Sequence, residues 1–159
     1  MREQKDIERT MSVHGDTVWR VCSLYFRGRA DAQDMFQVTF LKYSLHEQGF
    51  NSEEHRKAWL IRVATNICKD SLKAMYRKNQ PLDESVAESA VDESVLSSLA
   101  HMEIIDALRS LDDNIRESAY LFLYEGYTAP EIAEMLGAPV NTVYSWIARG
   151  KEQLSEVLS

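Results

Sequence analysis

The sequence lacks long apolar runs and paired cysteines. No apolar run approaches the ~18 residues that a membrane-spanning helix needs, and the opening MREQKDIERTMS has no apolar stretch typical of a secretory signal. Cys22 and Cys68 stand in apolar helical patterns without a CxxC spacing. That placement favours buried, reduced thiols over a disulfide or a metal site. We therefore expect a cytoplasmic protein.

Short motifs typical of enzymes are also missing. The sequence contains no HExxH, no phosphate-binding glycine loop, no dinucleotide-binding GxGxxG and no GxSxG. The four histidines are scattered, at His14, His46, His55 and His101. We predict that the protein is not an enzyme and has no catalytic residue, no metal site, no cofactor and no small-molecule substrate.

What is present is helical periodicity. Strand-like alternation is missing and β-branched runs are short, so we predict the all-α class. The acidic segment 80–97 reads as a flexible linker. It divides the chain into two small helical domains, 1–79 and 98–159. The first would have three or four helices, and the second would contain a helix-turn-helix.

Local signals place the helices of the two domains. In the first we expect helices over about 16–27, 31–47 and 53–78, with Asp31 and Ser52 as N-caps. Residues 1–15 either lie outside these helices or begin the first of them. In the second, apolar residues recur at helical spacing in two sets and predict two helices. One contains Ile104, Ile105, Leu108 and Leu111, and the next contains Ile115, Ala119, Phe122 and Leu123.

The C-terminal segment predicts two short helices joined by a tight turn. Thr128 and Glu131 have the spacing of a capping box. Gly137 ends the first helix, and Pro139 is well placed to begin the second. The inward stripe of the second helix is Val143, Ile147, Gly150 and Leu154, and its other stripe is Thr142, Ser145, Trp146 and Arg149.

This second stripe combines hydroxyls, an indole and a guanidinium, which suit base edges and phosphates. The pattern is typical of a helix-turn-helix whose second helix enters the major groove of DNA. The alternative is a helical hairpin inside an ordinary core.

Charge is distributed unevenly along the chain. The net charge is −7, which argues against strong DNA binding by the protein alone. Residues 61–80, however, carry five bases and one acid, and residues 81–100 carry five acids and no base. One face of the third helix contains Trp59, Arg62, Asn66, Lys69, Lys73 and Arg77. We interpret it as a phosphate track with a stacking end; the alternative is a solvated face.

Two further features leave alternatives open. The outer face of the second helix holds Asp34, Gln37, Val38 and Leu41. Its aliphatic members either touch a neighbouring helix or belong to a protein-binding surface. Phe50, in the following loop, either packs back onto its own domain or stacks on an unpaired base.

Two stretches of the chain resemble one family. DAQDMFQVTFLKYS (31–44) with RKAWLIRVATNICKDSLKAMYRK (56–78) resembles region 2 of bacterial sigma factors of the extracytoplasmic-function (ECF) group. ALRSLDDNIRESAYLFLYEGYTAPEIAEMLGAPVNTVYSWIARGKEQL (107–154) resembles their region 4. A helix-turn-helix alone would not distinguish this family from other DNA-binding proteins, whereas the two regions in this order are specific to it.

The resemblance implies a protein that binds core RNA polymerase and directs it to promoters. It is then a monomer when free, and an anti-sigma factor controls it, in some cases at the membrane. The implied polymerase-docking residues are Asp34, Gln37, Val38 and Leu41. The implied contacts to the −10 element are Phe50, Asn51 and the Trp59–Arg77 face. The implied −35 contacts are Thr142, Tyr144, Ser145, Trp146, Arg149 and Lys151.

The chain departs from the family pattern at several positions. Val38 replaces an acid in the common Gln-Glu-Thr-Phe string, and Asp112 replaces the proline of a Leu-Pro pair. In the helix-turn-helix, Pro139 replaces a capping serine and Trp146 a basic residue, while Arg149-Gly150-Lys151 replaces Arg-Ala-Arg. The −35 preference is therefore not inferred from relatives.

Two rival functions fit parts of the sequence. A stand-alone regulator would bind its operator as a dimer without polymerase, but it would not need the basic face between residues 59 and 77. An adaptor that mimics a sigma factor would bind the same partner without initiating transcription.

Overall fold

The computed structural model describes residues 1–78 and 99–158, with side chains for residues 1–78 and 104–157. The chain divides into two compact units, Met1–Ser89 and Ala90–Ser159. All regular elements in the described ranges are helical, which confirms the all-α class and the two helical domains. The linker predicted for residues 80–97 lies outside the described residues. None of the helices within the described ranges is long and apolar enough to cross a membrane.

The first unit contains three helices that pack against one another: α1 (Gln4–Tyr25), α2 (Arg29–Leu45) and α3 (Glu53–Arg77). Their apolar stripes meet in one core, and both cysteines lie buried there as thiols. The core side chains include Val18, Val21, Cys22, Leu24, Phe40, Tyr43, Leu60, Ile61, Ala64, Ile67 and Cys68.

The structure decides two helix starts in this unit. Of the two alternatives for residues 1–15, it contains the helix, since α1 begins at Gln4. Its first half is held by polar contacts, which apolar periodicity does not detect. Thr10 Oγ1 donates to the Tyr43 hydroxyl over 3.0 Å, and His14 is buried. Helix α2 begins at Arg29 with Gly28 as its N-cap. Asp31 is therefore not the cap; it lies in the first turn, where its charge suits the helix dipole.

The second unit contains α4 (Leu99–Arg109), α5 (Asp113–Ala119), a π-helical turn (Tyr120–Tyr124), α6 (Ala129–Leu136) and α7 (Val140–Leu158). Helix α7 packs against α4, α5 and α6. On α4, Ile105 is buried, whereas Ile104 is 41% exposed. Neighbouring helical residues point about 100° apart, so Ile104 lies outside the face that Ile105 buries.

The π-helical turn changes which residues face the core after α5. The Glu125 N–H bonds to the Tyr120 carbonyl over 3.2 Å, five residues earlier. The wider turn buries Tyr120 and Leu121, whereas Phe122 is half-buried and Leu123 is 50% exposed. Of the four apolar residues that mark this helix in the sequence, Phe122 and Leu123 are therefore not buried. The reason is that an extra residue per turn rotates the helical face, whereas the sequence pattern applies to a regular helix.

Candidate nucleic-acid interface

The basic face of α3 is an extended polar surface of the first unit. From residue 59 to residue 77 it spans about 27 Å, at a rise of 1.5 Å per residue, which is comparable to about eight steps along one DNA strand. Its exposed members are Arg62, Asn66, Lys73 and Arg77, and its half-buried members are Trp59 and Lys69. The structure thus brings a row of cations and an amide to solvent on one helix.

Tyr76 adds an aromatic ring at the C-terminal end of this face. It is 78% exposed and follows Lys73 by three residues, which places both on one side of α3. Tyr76 is not among the site residues predicted from the sequence. The signal that could have found it is its helical spacing from the row of basic residues.

Phe50 packs back onto its own unit. Its ring stacks on Tyr43 with centroids 6.1 Å apart, and it meets the edge of Trp59 at 5.7 Å. The Arg56 guanidinium lies 4.9 Å from the Phe50 centroid. Of the two alternatives for Phe50, the structure contains the packed one. Contact of Phe50 or Trp59 with DNA stays a prediction. Asn51, the next residue, is exposed.

The start of α3 is fixed by several side chains. Ser52 is the N-cap, as predicted, and accepts a hydrogen bond from the His55 N–H over 3.1 Å. Glu53 bonds His14 Nε2 and accepts from Arg9, both over 2.8 Å. These two hydrogen bonds lower the pKa of Glu53 to about 2. The loop before α3 is therefore attached to a rigid helix terminus, since α1 braces that terminus.

The outer face of α2 is open to solvent. Asp34 and Gln37 are exposed, Val38 is 36% exposed and Leu41 is 56% exposed. Among the described residues of this unit, Leu41 keeps more than half of its surface in solvent and Val38 about a third, so neither aliphatic side chain is buried against a neighbouring helix. One turn after Leu41, Leu45 is 61% exposed and extends the same apolar strip. Leu45 is not among the docking residues predicted from the sequence. A strip of this kind is suited to binding another protein.

The predicted helix-turn-helix is present in the second unit. The Glu131 N–H donates to Thr128 Oγ1 over 3.3 Å, and the Thr128 N–H donates to Glu131 Oε1 over 2.9 Å. This confirms both halves of the capping box. The bond from the Thr128 backbone lowers the pKa of Glu131. Gly137 has φ = 64°, a left-handed conformation that glycine adopts without a Cβ penalty. Pro139 stands just before α7.

Helix α7 buries the predicted inward stripe, namely Val143, Ile147, Gly150 and Leu154. Helix α7 approaches α5 closely at Gly150, because a Cβ built there would lie 2.8 Å from the Ala119 Cβ. This close packing of α7 on α5 sets the direction in which the remaining faces of α7 point.

The predicted −35 residues divide between two flanks of α7. At 100° per residue, Thr142, Trp146 and Arg149 lie on one flank, and Tyr144 and Lys151 lie nearly opposite. Lys151 Nζ lies 4.8 Å from the centroid of Phe122. The structure therefore does not bring all six residues to one surface. Ser145, exposed, lies between the two flanks and bonds the Asn141 carbonyl over 3.3 Å.

Trp146 and Arg149 share an open cleft with the start of α5. The cleft has a volume of about 500 Å³, and residues 111–115 line its other side. The indole is half-buried there, whereas the guanidinium is exposed. An exposed guanidinium beside an aromatic ring on this helix can reach a base edge or a phosphate.

Comparison with known proteins identifies the family. Residues 11–81 match the model of Sigma-70 region 2, and residues 101–154 match the model of Sigma-70, region 4. The chain belongs to the sigma-70 family. The two matched ranges together span most of the chain, in the order and spacing that the sequence predicted. All predicted site residues of this sigma-70 protein lie inside them.

Curated relatives place the chain in the ECF group. It is 29% identical over 154 residues to the ECF RNA polymerase sigma factor BldN of Streptomyces coelicolor, covering 91% of this chain and 57% of that protein. It is also 29% identical over 140 residues to the ECF RNA polymerase sigma-E factor of Haemophilus influenzae, covering 79% and 74%. The chain thus spans little more than half the length of BldN.

Two solved structures share the fold. One is the sigma factor RpoE in complex with the anti-sigma factor NepR from Bartonella quintana, with a TM-score of 0.72, 24% identity and 97% coverage of both chains. The other is CnrH in complex with the cytosolic domain of CnrY, with a TM-score of 0.68 and 24% identity. That match covers 98% of this chain and 89% of the other.

Proposed function

We propose that this protein is an alternative sigma factor that binds core RNA polymerase and directs transcription initiation at specific promoters. The observation that carries the proposal is the presence of two separate DNA-compatible surfaces on one chain. These are the basic face of α3 in the first unit and the helix-turn-helix in the second. A stand-alone regulator needs only the second of these surfaces.

In this proposal the first unit has two tasks. The exposed strip of α2, with Gln37, Val38 and Leu41, docks on the polymerase. The loop around Asn51 and the basic face of α3 contact the −10 element and its melted strand. Extruding one base from the duplex costs a few kcal/mol, and the polymerase contacts offset that cost.

The second unit reads the −35 element through α7. Arg149 and Ser145 are the exposed side chains best suited to base edges or phosphates. One good major-groove contact contributes about 1–3 kcal/mol, so a short helix binds weakly by itself. Two such units on one chain gain affinity from effective concentration once polymerase holds them both.

The net charge of −7 fits action inside a larger assembly. A free protein of this charge has little electrostatic attraction to DNA, whereas its local basic face can act when polymerase positions it. We further propose that the free protein is a monomer in the cytoplasm. An anti-sigma factor, in some settings attached to the membrane, would hold it inactive. The anti-sigma complexes of the two structures of similar fold motivate this partner class.

The test is run-off transcription with bacterial core polymerase and a library of promoter fragments, with and without the protein. The matched control replaces Leu41 with Glu, which alters the α2 strip without touching either DNA-binding surface. We expect new start sites that need the protein and disappear with the control variant. Co-elution with polymerase without transcripts would favour the adaptor function. Operator binding without polymerase would favour the stand-alone regulator.

A further inference from the structure

Arg2 holds the end of α2 and the loop that follows it. Its Nε donates to the Tyr43 carbonyl over 3.2 Å, and its Nη2 donates to the carbonyls of His46 and of Gln48, the latter over 3.0 Å. Its backbone N–H donates to the Ser44 carbonyl over 2.9 Å. Two of these carbonyls, those of Tyr43 and Ser44, belong to the last turn of α2, where helical partners run out; the Tyr43 carbonyl also accepts from the His46 N–H over 3.1 Å. One side chain thus spans the junction between helix and loop.

The Arg2 side chain is mostly buried and is held in place by its hydrogen-bond partners. It is only 10% exposed, and its Nη1 pairs with Asp6 over 3.1 Å. Asp6 in turn accepts from the Tyr43 hydroxyl over 2.7 Å. The guanidinium is therefore fixed from α1 on one side while it binds the loop on the other.

The same guanidinium lies against the aromatic cluster that contains Phe50. Its Cζ is 4.2 Å from the Tyr43 centroid and 5.4 Å from the Phe50 centroid. Arg56 lies 4.9 Å from the Phe50 centroid. The guanidinium groups of Arg2 and Arg56 and the ring of Tyr43 thus lie against Phe50. Each of these contacts with the Phe50 ring is favourable. Phe50 serves as the anchor of the loop in this arrangement.

The far end of the loop is fixed separately. The Asn51 N–H donates to His55 Nδ1 over 3.1 Å, and Ser52 caps α3. With both ends held and Phe50 packed inward, Asn51 is left exposed. The loop therefore has a defined shape that presents the Asn51 amide to solvent beside the N-terminus of α3.

We propose that Arg2 is a positioning residue for the −10 loop, which comprises residues 46–51. By fixing the loop it keeps Asn51 in place for an unpaired base, without touching DNA itself. Arg2 lies outside the residues 11–81 matched by the region 2 model, so the family comparison assigns it no role. The proposal rests on the proposed sigma-factor function and deepens its −10 site.

The expected effect follows from preorganisation. When a binding-competent conformation is only partly populated, the apparent affinity falls by the populated fraction. Removing a guanidinium that makes three carbonyl hydrogen bonds frees the loop to sample other conformations. We expect the affinity gained from the captured base to fall about tenfold.

The experiment uses holoenzyme assembled from core polymerase and the full chain. Its probes are the non-template-strand oligonucleotide of a promoter found by run-off transcription, and the same strand with an abasic site at each −10 position in turn. The quantity measured is the ratio of the two dissociation constants at the position where the wild type discriminates most. A loss of folded protein lowers the active fraction for both probes equally and leaves this ratio unchanged.

Three variants are compared with the wild type. Arg2→Ala removes the guanidinium. Arg2→Lys keeps the charge beside Asp6, but an ammonium has three donors on one nitrogen and cannot reach Asp6 and all three carbonyls at once. Lys5→Ala is the matched control, because it removes one exposed cation from the same end of α1. We expect the ratio to approach one in Arg2→Ala, to fall partly in Arg2→Lys and to stay unchanged in Lys5→Ala.

Two results would overturn the proposal, and they are distinguishable. An unchanged ratio in Arg2→Ala, or in Arg2→Lys where the alanine variant does not fold, refutes the role of Arg2 while leaving the sigma-factor function intact. A wild-type holoenzyme that does not discriminate at any −10 position removes the −10 function itself, and the role of Arg2 with it.

Discussion

Replacing Gly150 with Ala tests whether the close approach of α7 to α5 sets the position of the recognition helix. The added Cβ would lie 2.8 Å from the Ala119 Cβ and 3.5 Å from Ile115 Cγ2. Apolar carbons pack at about 3.5–4.0 Å, so the two helices have to separate by at least about 0.7 Å. Overpacking of this kind costs about 1–3 kcal/mol.

Helix propensity opposes this steric cost. Alanine in a helix interior is about 1 kcal/mol more favourable than glycine. We therefore expect a net destabilisation of about 1 kcal/mol. That corresponds to about 4–8 °C in the melting temperature of a unit of this size. Ala148→Gly, at an exposed position of α7, measures the propensity contribution alone.

Hydrogen exchange of the α7 amides reports the free energy of opening for this unit by itself. The decisive comparison repeats Gly150→Ala in an Ala119→Gly background, where the opposing Cβ is gone. There the substitution should become stabilising by about 1 kcal/mol, since only the propensity gain remains. Equal stabilisation in both backgrounds would refute the steric argument, because it would mean that the interface relaxes without cost.

Three further predictions concern the exposed faces and the brace at the start of α3. A variant in which both Gln37 and Leu41 are replaced by Glu should no longer co-elute with core polymerase, while its circular dichroism spectrum stays unchanged. Retained binding at wild-type affinity would rule out the α2 strip as the docking surface. Arg149→Ala should weaken −35-dependent transcription, because about 1–3 kcal/mol of promoter-binding free energy is lost, and should leave polymerase binding intact. An equal loss of transcription and of polymerase binding would exclude a −35 contact by Arg149. The Glu53 pKa is lowered to about 2 from an ordinary 4.5, so its stabilising contribution is present above pH 4.5 and is lost as the pH falls toward 2. In urea unfolding at pH 6, the free energy of unfolding of Glu53→Gln should be lower than that of the wild type by no more than about 1 kcal/mol, because the carboxylate is partly exposed. This difference should shrink at pH 3. A difference that stays constant between the two pH values would contradict the linkage.

Local signals in the sequence were sufficient for most of the helices. The capping box of Thr128 and Glu131, the glycine stop at Gly137 and the inward stripe of α7 all act within a few residues. Such features depend on backbone hydrogen bonds and side-chain spacing along one helix, so they can be read without a fold. The exposed basic face of α3 was predictable for the same reason.

Departures from regular helical geometry escaped prediction. Leu123 faces solvent because the turn that begins at Tyr120 is π-helical, and no pattern of apolar residues marks one extra residue in a turn. The division of the −35 residues has a different origin. Tyr144 and Lys151 point nearly opposite to Thr142 and Trp146 at the regular 100° per residue, so it was readable from the sequence once the helix was assigned; the family resemblance grouped these residues without regard to their faces.

By itself, the sequence determined that the chain is helical, that it contains two units, and which residues form the helix-turn-helix and the basic face of α3. Only the tertiary structure decided that Phe50 is an anchor and that Arg2 holds its loop. The contacts of the Arg2 side chain with the loop join residues that are 41 to 46 positions apart. Their formation depends on how α1 packs beside the end of α2. A polar residue at the start of a helix carries no local mark of such a partner, so the contact exists only once the helices have assembled.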